Sequence, residues 1–172
     1  PDTADGTILT TTNPASDNVI QVVQTTQTGE VISNSASDIV ASGHICSITP
    51  KGTGSSFFVR ADNITGHFNL SSENNYGALY YLYVSVNSGS YANVTSTLIQ
   101  NVYINGNIGN WMNVPVQFSF LASPSYSAGQ TVAFQPYYKR APNSTNNFYY
   151  HHQGPSAMAN QVRTLTVMEV AA

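Results

Sequence analysis

The chain has 172 residues and a net charge of −3, and only 8% of its residues are charged, against roughly a quarter in an average soluble domain. That is the length of one domain. The five basic residues, Lys51, Arg60, Lys139, Arg140 and Arg163, are scattered, which excludes the basic stripe that nucleic acid needs and the polybasic run that an anionic membrane attracts. With 41% hydrophobic residues a core is available and a disordered chain is excluded. The surface is therefore hydrated by hydroxyls and amides and suits closely packed identical copies or neutral partners such as glycans.

Residues 1–17 hold three of the eight acids, two prolines and one short apolar pair, Ile8-Leu9, and read as an extended arm. The chain opens Pro-Asp, as a product does after removal of an initiator Met and as a trimmed chain also does; no signal peptide and no membrane-length apolar run is expected. Residues 18–172 read as one domain of short β-branched and aromatic segments separated by turn residues, the pattern of a sandwich or barrel. Strands are expected near 18–26, 39–48, 55–62, 78–86, 94–100, 114–121, 131–139, 147–152 and 162–170.

The only cysteine, Cys46, allows no internal disulfide and sits in a strand pattern, so a buried, inert thiol is expected. In 78–86, Leu79, Tyr81, Tyr83 and Ser85 oppose Tyr80, Leu82, Val84 and Val86. Both faces are apolar, which places the strand between layers or at a subunit interface. Turns are expected at Asn87-Ser-Gly89, Asn105-Gly106-Asn107, Gly109-Asn110 and Ser123-Pro124-Ser125. In 114–120, Val114, Val116, Phe118 and Phe120 share one face. No segment keeps a helical apolar period through two turns, although 153–161 has room for one short turn. The last strand sets Leu165, Val167 and Glu169 against Thr164, Thr166, Met168 and Val170, so one carboxylate lies on an apolar ribbon.

The material for catalysis is thin: eight carboxylates and four histidines, with no Gly-x-Ser-x-Gly elbow, P-loop or dinucleotide fingerprint. Asp62 and Glu73 are the central carboxylates with most prospect of meeting. Adjacent strand residues point to opposite faces, so His151-His152 cannot both ligate one ion within one chain. No enzyme, metal site or cofactor is expected. The Asn-x-Ser/Thr triplets at Asn63, Asn69, Asn93 and Asn143 are no more than this composition supplies by chance. The aromatics carry more information. Tyr80, Tyr81, Tyr83, Tyr137, Tyr138, Phe148, Tyr149 and Tyr150 suit either core and subunit contacts or stacking on sugars.

Four segments carry a resemblance: Val19-Ile-Gln-Val-Val-Gln24; Cys46-Ser-Ile-Thr-Pro50 with its turn 51–56; Val114-Pro-Val-Gln-Phe-Ser-Phe-Leu-Ala-Ser-Pro124; and the closing Thr164-Leu-Thr-Val-Met-Glu-Val-Ala-Ala172. Over 18–172 the chain resembles the trimeric head domains of bacteriophage tail fibres and other virion surface proteins, related in shape to the C1q/TNF jelly roll. The resemblance implies an all-β jelly-roll β-sandwich, a homotrimer on the outer surface of a virion, and a virion protein such as the major capsid protein as partner. It supplies no catalytic residue. A fibre needs a shaft, whereas this chain has only the short arm. The leading expectation is therefore a capsid decoration (cement) protein, and the alternative is a tail-fibre tip that binds a host-surface glycan. The expected trimer interface is Tyr81, Tyr83, Leu165, Val167, Met168 and Glu169, with Glu169 near the three-fold axis and balanced by Arg163 or a cation. On that reading Glu169→Gln keeps the trimer and Val167→Asp abolishes it. The candidate ligand-binding residues are Tyr137, Tyr149, Tyr150 and Asn107.

Overall fold

The computed structural model describes residues 18–29, 31–33, 39–69, 75–94, 100–105, 111–141, 148–151 and 162–172. These form twelve strands, and no described segment is helical. In chain order they are β1 (Val19–Gln27), β2 (Val31–Ser33), β3 (Val40–Ala41), β4 (Cys46–Ile48), β5 (Ser56–Asn69), β6 (Asn75–Val86), β7 (Ala92–Asn93), β8 (Gln100–Asn105), β9 (Trp111–Ala122), β10 (Val132–Arg140), β11 (Phe148–His151) and β12 (Arg163–Val170).

Eight of them form the frame. β1 pairs β12, β4 pairs β10, β5 pairs β9 and β6 pairs β8, all antiparallel. Counted along the frame, the first strand meets the eighth, the second the seventh, the third the sixth and the fourth the fifth. The resulting ribbon is then rolled so that β12 also pairs β5, and β10 also pairs β6. That rolled ribbon is the jelly roll, two antiparallel sheets with short protected edges. The short strands are additions. β11 and β2 extend the first sheet, while β3 and β7 extend the second.

Alternation decides the core. Phe57, Val59 and Ala61 of β5, Val116 and Phe118 of β9, and Leu165 and Val167 of β12 face Tyr80, Leu82, Val132, Phe134 and Tyr138 of the other sheet. Phe57 lies 5.6 Å from Phe134, and Tyr80 lies 6.5 Å from Phe118, both across the gap between sheets. Burying each such ring contributes about 1.5–3 kcal/mol. Cys46 is buried and free, with Sγ 3.6 Å from the Val23 carbonyl. Burial pushes its thiol pKa up, which is the inert state expected.

Several boundaries differ from expectation. The 39–48 segment is two strands, β3 and β4, because Ser42 and His44 turn inward around Gly43 at φ 73°. His44 Nε2 lies 3.2 Å from the Thr25 carbonyl. β2 was not expected. β5 runs on to Asn69 through a bulge between Ala61 and Ile64, where Asn63 takes φ 58°, a backbone region that Asn enters more readily than most residues. Of the expected strand at 94–100, Val94 follows the end of β7 at Asn93 and Gln100 opens β8, while 95–99 lie outside the described residues. The Asn87-Ser-Gly89 turn forms, with φ 52° and 59° at Asn87 and Ser88 and Gly89 N donating to the Val86 carbonyl at 3.0 Å. Ser123-Pro124-Ser125 forms no turn, and the turn falls at Ala128-Gly129. The expected turns at 106–110 and 153–161 lie outside the described residues.

Candidate functional site

β12 shows what the interface expectation had right and wrong. Leu165, Val167 and Glu169 do share a face, but that face is the interior of the subunit, and each has 0% exposure. They cannot touch another copy or an axis. Met168, on the opposite face, is half-buried and remains the only member of that strand's set available for contact.

Glu169 has a different occupation. Its carboxylate accepts hydrogen bonds from Lys51 N at 2.9 Å, Gly52 N at 2.8 Å and Ser55 Oγ at 2.9 Å. Tyr126 closes the same loop, accepting from Ser55 N and donating to the Gly52 carbonyl, both at 2.9 Å. A Cβ on Gly52 would stand 2.6 Å from Ser55 Oγ, so a side chain there would displace the Ser55 hydroxyl from its place on the carboxylate. The charge is stabilised by aligned donors, with no need of Arg163 or a cation. Arg163 sits at the far end of β12, where Nε donates to Gln27 Oε1 at 3.2 Å and Nη1 to the Gly29 carbonyl at 2.7 Å.

Two outward faces remain. On the first sheet the register sets Val22 beside Met168, Met168 beside Phe58, and Phe58 beside Leu121. These make one apolar row across four strands, ending in Leu121 at 55% exposure. Polar pairs flank it: Gln24 Nε2 donates to Thr166 Oγ1 at 2.9 Å, and Arg60 meets Asp62 at 2.7 Å. Asp62 is thus engaged by Arg60, while Glu73 lies outside the described residues.

On the second sheet, Tyr81 and Tyr137 are cross-strand partners and Tyr83 lies opposite Gln135. The Tyr83 and Tyr137 rings stack at 4.0 Å, 23° apart, and Tyr91 lies 6.1 Å from Tyr137. Lys139 Nζ stands 6.0 Å over the Tyr81 ring. Burial, then the neighbouring phenol, raises the pKa values of Tyr137 and Tyr91. Tyr137 therefore belongs with Tyr83, which was expected at a subunit contact, and with Tyr91, which the sequence did not single out. Period-two spacing in β6 and β10 was the available signal; Tyr91 precedes β7 and has no such pattern. Tyr149 and Tyr150 lie in β11, whose side chains are outside the description, as are Asn107 and His152. Among the described residues no three His, Cys, Asp or Glu side chains come together to hold a metal ion. A surface cleft of about 410 Å³ at the β5 bulge is lined by Asn63, Ile64, Thr65, Pro115 and Val162 and was not foreseen.

The strand order defines a jelly roll. No family model matches the chain and no curated protein sequence resembles it significantly. Among solved structures it is similar to a xylan-binding domain from CBM 22, with 15% identity over 87% of this chain and 86% of that one and a TM-score of 0.29. It is also similar to a structure of infectious bursal disease virus, Gt strain, with 13% identity over 92% of this chain and 39% of that one and a TM-score of 0.36. A third is Eiger TNF from S. frugiperda, with 5% identity over 90% and 96% and a TM-score of 0.32.

Proposed function

We propose that this chain is a homotrimeric structural protein of a bacteriophage particle, a decoration (cement) protein on the capsid exterior, with no catalytic role. The observation that supports this best is the row Val22, Met168, Phe58 and Leu121 on the outward face of the first sheet. A lone subunit leaves Leu121 exposed and Val22, Phe58 and Met168 only half-buried, and neighbouring copies would remove the remaining apolar area from water at about 25 cal/mol per Å². The low charge density lets copies approach without mutual repulsion, and the number three comes from the resemblance to trimeric heads. Sedimentation of the whole chain tests it. The expected mass is three subunits, with Met168→Asp reducing it to one; a wild-type monomer or dimer would overturn the trimer. Immunogold labelling of particles tests the address, with label expected over the shell. Label confined to the tail tip would replace decoration by the fibre-tip reading, which the tyrosine face of the second sheet favours.

A further inference from the structure

We propose that the outer edge of β9 is the docking site for the N-terminal arm of a neighbouring copy, with residues 7–12 of that arm added to the sheet as a further strand. The inference rests on the association of copies proposed above and names the segment that joins them.

Three observations carry it. The first is the edge itself. Among the described residues β9 pairs with β5 alone, at the border of the first sheet. Pro115 lies within β9, opposite Thr65. Proline has no N–H to give a ladder and is confined to strand edges, so Thr65 and Pro115 are a non-hydrogen-bonded pair. Such pairs alternate with bonded ones along an antiparallel ladder, and the bulge adds its residue to β5, leaving the alternation along β9 unbroken. The N–H and C=O groups of Gln117, Ser119 and Leu121 therefore point away from β5. Asn113, Pro115, Gln117, Ser119 and Leu121 are all exposed, whereas on β12, inside the same sheet, Thr164, Met168 and Val170 are half-buried and Thr166 is buried. An edge of outward main-chain groups is a template for an added strand.

The second is the arm. Thr7-Ile-Leu-Thr-Thr-Thr12 carries no charge, Gly or Pro, lies between Gly6 and Asn13-Pro14, and is dominated by β-branched side chains, which suit a strand. Ile8 and Leu9 are adjacent, so a strand sends them to opposite faces of the sheet. Both faces offer an apolar place beside this edge. On the outer face the row from Val22 ends at Leu121, 55% exposed; on the inner face Phe120 is half-buried against the core. One added strand covers both.

The third is reach. The arm joins the sheet at Asn18, whose carbonyl accepts from Ala171 N at 2.8 Å. Ser56 is opposite Val170, and its hydroxyl meets Ser123 Oγ at 2.8 Å. The root of the arm and the end of β9 thus lie at the same end of the sheet but at opposite borders. A strand beyond β9 is about 19 Å from β1 at about 4.8 Å per strand, and residues 13–17 span at most about 17 Å. The arm falls short of its own β9 with residues 7–12 intact, which leaves the β9 of the next copy as its partner. Such a contact joins unlike surfaces, the kind that closes into a ring.

Sedimentation of whole-chain variants over a range of concentration is the test. Gln117→Pro removes an outward N–H and no bond within the subunit, as Pro115 already does. Its circular-dichroism spectrum should be unchanged, while association weakens at least tenfold through the lost bond and the steric block. Gln117→Ala keeps the N–H and should stay within about threefold. Adjacent N–H groups of a strand point opposite ways, so Thr10→Pro with Thr11→Pro removes one that faces β9. That arm variant should weaken association as much as Gln117→Pro, and combining arm and edge changes should add nothing, since both remove one contact. A wild-type monomer would overturn this inference together with the trimer it rests on. With a wild-type trimer, normal association of the arm variant or of a folded Gln117→Pro overturns the arm contact alone, as do losses that add. Should Gln117→Pro unfold, the arm variant decides, because its positions precede the first strand.

Discussion

Glu169 is a carboxylate at 0% exposure whose partners are two backbone N–H groups and a hydroxyl. Glu169→Gln is isosteric but replaces one acceptor oxygen by an N–H donor, which must face Lys51 N, Gly52 N or the Ser55 hydroxyl. The expected loss is about 2–3 kcal/mol, the scale of a charge-assisted hydrogen bond lost with a buried donor left unmade. Urea unfolding checks the stability, and hydrogen exchange checks the accompanying release of the Lys51 and Gly52 amides; unchanged exchange there would contradict the clamp. The sequence showed Glu169 as a lone acid on an apolar ribbon, which was correct. Its partners were not legible, because two are main-chain groups 117 and 118 positions away and the third is one serine hydroxyl among many, 114 positions away. Two other buried acids set an alkaline limit. Burial raises the Cys46 thiol above its ordinary 9.0 and the Tyr138 phenol well above its ordinary 10.0. A pKa raised on folding gives stability that is complete below the unfolded pKa and lost as pH rises toward the folded one. The urea midpoint should therefore hold from neutral pH to just below 9 and fall above it. Cys46→Ala should move the onset of that fall up toward 10, and an unmoved onset would show that the thiol has no part in it.

At the scale of elements, β12 and β6 show what period-two reading can and cannot decide. It assigned residues to common faces correctly in both strands, and in β9 it found the core face of Val116 and Phe118. It could not say which face of β12 turns inward, since Leu165 with Val167 and Met168 with Val170 both read as apolar. The β5 bulge was illegible for a related reason: one extra residue reverses the alternation, so the segment after Asp62 stopped looking like a strand although pairing with β9 continues to Asn69. Chain order held no direct sign of which strands pair, and the jelly roll was reached through resemblance. The interior position of Val167 now changes what its substitution means. Val167→Asp places an unpaired charge in the core at a cost of several kcal/mol, so it should unfold the subunit, and its lack of a trimer would say nothing about an interface. Met168→Asp on the outward face should leave the circular-dichroism spectrum and the core intact while removing association. A Met168→Asp protein that still sediments as a trimer would place the contact elsewhere, with the tyrosine face as the remaining candidate.

For the whole molecule, composition decides which forces would hold the proposed trimer together. With 8% charged residues and, among the described residues, a single ion pair on the first sheet's outer face, Arg60 with Asp62 inside one subunit, association through that face would be an apolar contact. Apolar contact is insensitive to screening, whereas an assembly held by ion pairs weakens as the Debye length falls from about 10 Å at 0.1 M salt to about 3 Å at 1 M. The proposed trimer should therefore persist, in sedimentation, across that range of salt. Association also couples to stability by mass action, since anything that binds only the folded chain raises its melting temperature with concentration. The wild-type Tm should rise on a hundredfold increase in protein concentration, and that of Met168→Asp should not. A chain lacking residues 1–17 should behave like the wild type in both measurements if the arm serves only to tether the trimer to a particle, and it should be lost from purified particles. A shortened chain that sediments as a monomer would instead make the arm part of the subunit contact, and the outward row on β1, β12, β5 and β9 would then be the surface it covers.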